Sequence, residues 1–230
     1  MQSSRFIWAL AVSISLLLTL MASATLAADF GKSSFRSGVS EATISLRYMN
    51  QETINFEGGA QADVSNDYGW GFGLGYNLNE NIVLGGEFSW LTTSYRATRV
   101  DDTGNPSVYN GILDAGSFSF RATYNVLKTR MTPFISANLG WTFIDTNIPI
   151  GPPGTICWWD PWWGYVCGPY YPTATQDVFG YGAGIGLRWD VSTRFFMKAA
   201  YNWTRMDIAN TAGGDPTIGN VIIDFGFFMD

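Results

Sequence analysis

The stretch Tyr68-Gly-Trp-Gly-Phe-Gly-Leu-Gly-Tyr-Asn-Leu78 places a large apolar side chain at every second position, with glycine or asparagine between them. Successive side chains of a β-strand point to opposite faces, so one face is apolar and bulky and the other is nearly bare. The bulky groups would overfill the interior of a small soluble barrel. With the bulky face turned to lipid and the small residues lining a narrow lumen, the pattern is typical of a transmembrane β-barrel.

The same alternation occurs in seven other stretches of the chain. The eight predicted strands lie near 39–50, 67–78, 81–96, 112–127, 132–145, 177–190, 194–206 and 219–229. Long connections at 51–66, 97–111, 146–176 and 207–218 alternate with short ones at Asn79–Glu80, Lys128–Met131 and Val191–Thr193. Bacterial outer-membrane barrels have this order. The sequence therefore predicts an all-β fold, an eight-stranded antiparallel up-and-down transmembrane β-barrel with short periplasmic turns and long outer loops.

Aromatic residues near the strand ends agree with this topology. The outward positions near the outer ends of four strands are tryptophans: Trp70, Trp90, Trp141 and Trp203. Tyr76, Tyr124 and Trp189 fall near the periplasmic ends. Tryptophan and tyrosine favour the two membrane interfaces, so these two levels predict the two aromatic belts of a membrane barrel.

The N-terminal residues are typical of a secretory signal peptide. Arg5 precedes an uncharged run over 6–21, and small residues follow over 22–28, with cleavage expected after Ala27. A retained membrane helix is the alternative, but the run is short against the roughly 20 residues that spanning requires. We therefore predict a cleaved signal peptide at 1–27, an N-terminal periplasmic segment at 28–38 and an outer-membrane β-barrel domain at 39–230.

The composition supports export to a membrane. Only 14% of residues are charged, whereas 47% are hydrophobic and 16% aromatic; ordinary soluble domains are about 25% charged. The formal net charge of −6 argues against nucleic-acid binding.

The chain resembles the small eight-stranded outer-membrane barrels of the OmpA-like transmembrane type, often described as outer-membrane β-barrel porin-family proteins. The resemblance covers roughly 39–230 and is carried by Tyr68–Leu78, Asn77–Asn81, Thr132–Gly140, Gly180–Arg188 and Asn220–Met229. It implies a Gram-negative outer membrane as the location, with membrane lipid, lipopolysaccharide and the barrel-assembly machinery as partners. Members usually end in an aromatic residue, whereas here Met229 takes that outward position and Asp230 follows.

Charged residues occur out of phase with the apolar face of the strands, so we expect them to point into the lumen. They are Glu41, Arg47, Glu87, Arg121, Arg188, Lys198 and Asp224. The interior of an eight-stranded barrel is just wide enough for side chains to fill. Charges confined there must pair, because an unpaired buried charge costs several kcal/mol. The favoured interpretation is a structural salt-bridge network that fills the lumen; the alternative is a gated pore with a charged constriction.

The sequence contains no histidine. The enzymes among small outer-membrane barrels depend on a histidine as acid or base, and serine and threonine lack their usual activator without one. We therefore predict that the protein is not an enzyme, has no metal site and needs no cofactor.

The third long connection is rich in tryptophan. Its residues Cys157 and Cys167 lie in an exported context, which favours a disulfide. The aromatic residues of interest are Trp158, Trp159, Trp162, Trp163 and Tyr165. They have three possible roles: packing onto one another as a rigid cap, dipping into the outer leaflet as an interfacial anchor, or forming a binding surface for a sugar, an apolar ligand or a protein.

Two functional classes follow from the sequence. The first is a structural and surface-interaction protein that displays the tryptophan-rich outer loop. The second is a narrow channel or transporter for small or apolar solutes. A wide general-diffusion porin is excluded, because such porins need about 16 strands.

Overall fold

The computed structural model describes residues 34–100 and 105–229. The predicted signal peptide, residues 28–33 of the predicted periplasmic segment and Asp230 lie outside this described part. The strands are β1 Ser40–Met49, β2 Glu52–Asn55, β3 Gln61–Val64, β4 Asp67–Asn77, β5 Ile82–Val100, β6 Pro106–Asn125, β7 Met131–Pro149, β8 Gly154–Asp160, β9 Gly164–Tyr170, β10 Thr173–Trp189, β11 Phe195–Met206 and β12 Thr217–Met229. One 3₁₀ turn spans Glu57–Gly59. A search of the described residues finds no helix of the length and apolarity that crossing a membrane requires.

Eight strands form a closed antiparallel ring. Each neighbour in the order β5-β4-β1-β12-β11-β10-β7-β6 is hydrogen-bonded to the next, and β6 pairs back onto β5. The first and last strands meet in register from Ser40 opposite Met229 to Met49 opposite Asn220. Closure leaves no free sheet edge in the ring, and the predicted fold class is confirmed.

Strands occur within three of the long connections, where the sequence predicted only loops. The β5–β6 ladder continues to the pair Val100 and Pro106, so most of 97–111 is strand. β2 and β3 pair within 51–66, and β3 adds to β5. β8 and β9 form a separate hairpin within 146–176. These ladders supply hydrogen-bond partners for backbone N–H and C=O groups of the connections. The alternation of apolar residues that marks the lipid-facing strands does not predict these additional strands.

The outward face of the ring is apolar, as the alternation predicts. On β4 the residues Tyr68, Trp70, Phe72 and Leu74 are all at least 46% exposed. The glycines between them leave room inside the lumen. A Cβ added at Gly75 would lie 3.1 Å from Cγ of Glu41, so glycine here admits the charged side chain of the neighbouring strand.

A small apolar core lies inside the loop end of the ring. Lumen-facing residues near the outer ends of the strands pack against residues from two long connections. The buried members are Met49, Ile54, Val64, Tyr95, Val178, Ile208 and Ile218. Ile54 and Val64 come from β2 and β3, and Ile208 comes from the connection before β12. The first and last long connections therefore contribute to an apolar cover over the loop end, a feature that the sequence alone did not reveal.

Candidate functional site: the charged lumen and the aromatic hairpin

All seven charged residues expected in the lumen lie on strands of the ring with little solvent exposure. Glu41, Glu87, Arg188, Lys198 and Asp224 are buried. Arg47 and Arg121 have side chains that are 19% and 17% exposed. The structure brings these residues together in two groups, which we call the middle cluster and the turn-end cluster.

The middle cluster consists of Arg47, Glu87, Arg121 and Asp224. The Glu87 carboxylate forms ion pairs with both arginines: Arg47 Nη2 contacts Oε1, and Arg121 Nη2 lies 2.7 Å from Oε2. Arg121 Nη1 lies 3.9 Å from Oδ2 of Asp224. Two basic and two acidic side chains thus balance within the low-dielectric lumen, which offsets the desolvation cost of each charge.

The turn-end cluster is built around Glu41. Lys198 Nζ donates to Oε1 at 2.6 Å, and Arg188 Nη1 lies 2.9 Å from Oε2. Arg188 Nε donates in turn to Oδ1 of Asp190 at 2.8 Å. The guanidinium of Arg188 also stacks over the Phe196 ring at 4.2 Å. Sequence analysis missed Asp190, although it lies two residues after Arg188 on the predicted strand and therefore points to the same inward face.

Arg36 is the second lumen residue that sequence analysis missed, because it precedes the first strand and has no periodic context. Its side chain is fully buried, and Nη1 lies 2.7 Å from Oδ2 of Asp190. Burial lowers the pKa of Arg36 from its ordinary value, whereas Asp190 raises it. Since a guanidinium stays protonated in proteins, Arg36 and Asp190 form an ion pair.

A cavity of about 140 Å³ lies between the apolar cover and the middle cluster. Its lining combines apolar side chains such as Met49, Leu113 and Met206 with polar ones that include Arg47 and Asn138. Arg47 Nε and Asn138 Oδ1 have no hydrogen-bond partner there. A space of this size accommodates several water molecules or one small molecule of about benzene's dimensions.

The aromatic hairpin, β8 and β9 with the turn between them, extends from the loop end. Cys157 lies directly opposite Cys167 in the ladder, and the two form the expected disulfide. Asp160 accepts hydrogen bonds from the backbone N–H groups of Trp162 and Trp163 at 2.8 and 2.9 Å, which fixes the turn.

The aromatic side chains of the hairpin remain exposed. The exposed fractions are 49% for Trp158, 68% for Trp159, 88% for Trp162, 81% for Trp163 and 74% for Tyr165. Of the ring pairs found among the described residues, none involves this hairpin. The structure therefore contradicts the self-packed cap, because tryptophans stacked on one another would be largely buried. An outer-leaflet anchor and a binding surface remain.

The described residues contain no group of three or more histidine, cysteine, aspartate or glutamate side chains that would hold a metal ion. The lumen carboxylates are instead engaged with basic side chains. The absence of a catalytic role stays a prediction from the sequence.

Comparison with known proteins gives a family match and several similar folds. A family model described as outer membrane protein beta-barrel domain matches residues 13–227. No curated protein matches the chain. OprG from Pseudomonas aeruginosa is 10% identical, with 84% of this chain and 97% of that chain covered and a TM-score of 0.50. Neisserial surface protein A is 12% identical over 83% and 96% of the two chains, with a TM-score of 0.49. Ail of Yersinia pestis is 13% identical over 84% and 99%, with a TM-score of 0.43. At such identities the likeness to OprG speaks for the fold alone.

Proposed function

The chain belongs to the outer membrane protein β-barrel domain family, and on that premise we propose that it is an integral protein of the Gram-negative outer membrane with a mainly structural and surface-interaction role. The observation that carries the proposal is the aromatic hairpin, in which four tryptophans and Tyr165 are exposed on a disulfide-bonded ribbon. Exposed aromatic residues on a rigid support are the usual anchors of protein interfaces.

The hairpin is a separate two-stranded sheet that stands apart from the ring. A two-stranded ribbon is barely stable in water, and here the disulfide holds it in place. Trp158 on one face and Trp159 with Tyr165 on the other leave both faces apolar. Large exposed apolar patches mark interaction sites, so we expect the hairpin to be covered when the protein acts.

The other partners follow from a membrane location. Outer-membrane lipid and lipopolysaccharide contact the apolar outer face, and the barrel-assembly machinery inserts the chain after the signal peptide is removed. The protein is not an enzyme in this proposal, and nucleic acid is not a ligand of so acidic a chain.

A binding measurement tests the proposal. The protein in lipid nanodiscs is passed over immobilised neutral oligosaccharides, phosphatidylcholine bilayers and lipopolysaccharide bilayers. We expect binding to at least one surface that the Trp162→Ala/Trp163→Ala variant loses, since each hot-spot tryptophan contributes about 2 kcal/mol or more. The Cys157→Ser/Cys167→Ser variant should weaken the same binding and leave the barrel folded.

The matched control is Tyr109→Ala, which removes an exposed aromatic side chain from another long connection. It should bind as the wild type does. Equal binding by all variants on every surface would refute a role of the hairpin in binding sugars, phospholipid or lipopolysaccharide.

A second candidate function is a narrow channel or transporter for small or apolar solutes, and the 140 Å³ cavity favours it. The apolar cover and the two charged clusters oppose it, because they fill the lumen on either side. Single-channel recording in planar bilayers distinguishes the candidates. Steady openings that scale with salt favour transport, and silence favours the structural role.

A further inference from the structure

The periplasmic end of the lumen contains a set of oxygen atoms that converge on one guanidinium group. Arg36 Nε donates to the carbonyl of Glu80, Nη2 donates to that of Leu127 at 2.6 Å, and Nη1 donates to that of Thr129 at 3.1 Å. Nη1 also donates to Oδ2 of Asp190 at 2.7 Å. These four acceptors use most of the five N–H groups that an arginine offers.

The four oxygens come from all three short connections of the barrel. Glu80 lies between β4 and β5, Leu127 and Thr129 lie between β6 and β7, and Asp190 follows β10. A single side chain thus joins turns that are up to 110 residues apart in sequence. The planar fork of arginine suits acceptors spread in this way, whereas the compact ammonium of lysine does not.

The backbone around Arg36 is anchored on two sides of the opening. Ser34 N donates to the carbonyl of Lys128 at 3.0 Å, and Gly38 N donates to that of Asn77 at 2.9 Å. The Phe35 ring lies 4.3 Å below the guanidinium of Arg130. Residues 34–38, which we call the N-terminal strap, therefore connect the β6–β7 turn with the end of β4.

Behind the strap the polar side chains are sealed from solvent. Asn77, Asn125, Thr132, Arg188 and Asp190 all have zero exposure. Thr123, which is two residues before Asn125 on β6 and also faces the lumen, is 6% exposed. Polar groups near an open mouth of a barrel would be hydrated, so the strap and the turns together shut this end of the lumen.

We propose that the periplasmic mouth is a guanidinium-binding site, that Arg36 occupies it, and that this occupancy keeps the N-terminal strap closed over the lumen. The strap and the four oxygen acceptors of Arg36 do not involve the aromatic hairpin, so this proposal does not depend on the function proposed for the hairpin. The site takes a planar, singly charged guanidinium and discriminates against an ammonium of equal charge, because three of its four acceptors are backbone carbonyls in fixed positions.

Single-cysteine labelling tests this proposal, since both native cysteines are engaged in the disulfide. Thr123→Cys reports access to the lumen behind the strap, and Thr193→Cys, on the exposed turn between β10 and β11 and away from the strap, reports intrinsic reactivity. The full mature chain in nanodiscs is treated with a small charged methanethiosulfonate reagent. The slower gel mobility after boiling verifies that each variant holds a folded barrel beforehand.

We expect Arg36→Ala to accelerate labelling at position 123 by about tenfold or more, since it removes several charge-assisted hydrogen bonds. Labelling at position 193 should not change. Ethylguanidinium, which replaces the atoms deleted by Arg36→Ala, should slow the labelling again, whereas ethylammonium at the same concentration should not. Arg36→Lys should label at an intermediate rate and serves if the alanine variant does not fold.

Two results would overturn the proposal. Equal labelling rates at position 123 in the wild type and in both Arg36 variants would mean that the strap does not control access. Protection of the alanine variant by ethylammonium as strong as that by ethylguanidinium would mean that the mouth binds cations without the stated selectivity.

Discussion

Replacing Glu41 by glutamine should destabilise the barrel strongly. Glu41 is 3% exposed, and its two oxygens lie 2.6 Å from Lys198 Nζ and 2.9 Å from Arg188 Nη1. The neutral amide keeps the shape of the side chain but leaves Lys198 without its ion-pair partner, and it directs an NH₂ group at one of the two cations. Removing one member of a buried ion pair costs about 3–5 kcal/mol. Because Arg188 retains Asp190, we expect a loss near the lower end, about 3 kcal/mol.

The assay is urea unfolding in detergent micelles, followed by tryptophan fluorescence and by the gel mobility of unboiled samples. Glu57→Gln is the matched control, because Glu57 is exposed in the connection between β2 and β3. The control should change the free energy of unfolding by less than about 0.5 kcal/mol. Lys198→Met added to Glu41→Gln should recover part of the loss, since it removes the cation left unpaired.

A loss below about 1 kcal/mol for Glu41→Gln would refute the reasoning, because it would mean that water screens the turn-end cluster as it screens a surface pair. The same conclusion would follow if Lys198→Met made the glutamine variant less stable still.

Three further results are expected. The mature chain in detergent should give a β-type far-UV circular dichroism spectrum and a gel band that shifts on boiling; a soluble protein with no shift would remove the membrane assignment. Cys157→Ser/Cys167→Ser should leave the unfolding of the barrel unchanged but speed proteolysis within the hairpin, since closing this short ring contributes up to about 3 kcal/mol to the local structure in the chain-entropy model; unchanged proteolysis would contradict this. Gly75→Val should lower the free energy of unfolding by about 1–3 kcal/mol, because the new side chain would crowd Glu41 as overpacking does in other cores. Leu74→Val, on the lipid face, should change the free energy of unfolding little. Similar losses for the two variants would argue against the close approach of Gly75 and Glu41.

The eight strands of the ring were predictable because the pattern that identifies each strand is local in sequence. A period of two with bulky residues on one side defines each strand and its lipid face, and the lengths of the connections define their order. The positions of the seven lumen charges could be predicted for the same reason, since residues such as Arg47, between Leu46 and Tyr48, alternate with outward apolar residues. The strands β2, β3, β8 and β9 were not, because outside the membrane both faces are free to be polar or apolar and the alternation weakens.

The sequence alone predicted the eight strands of the ring, their lipid and lumen faces, the charged character of the lumen and the disulfide between Cys157 and Cys167. The fold was needed to show which charges pair, that Ile54 and Ile208 cover the loop end, and that Arg36 reaches Asp190 across 154 residues. The periodicity of a strand depends on neighbours two residues away, and it can be read from the chain. The pairing inside the lumen depends on ring closure and register, which bring distant turns to one point and leave no trace in local sequence.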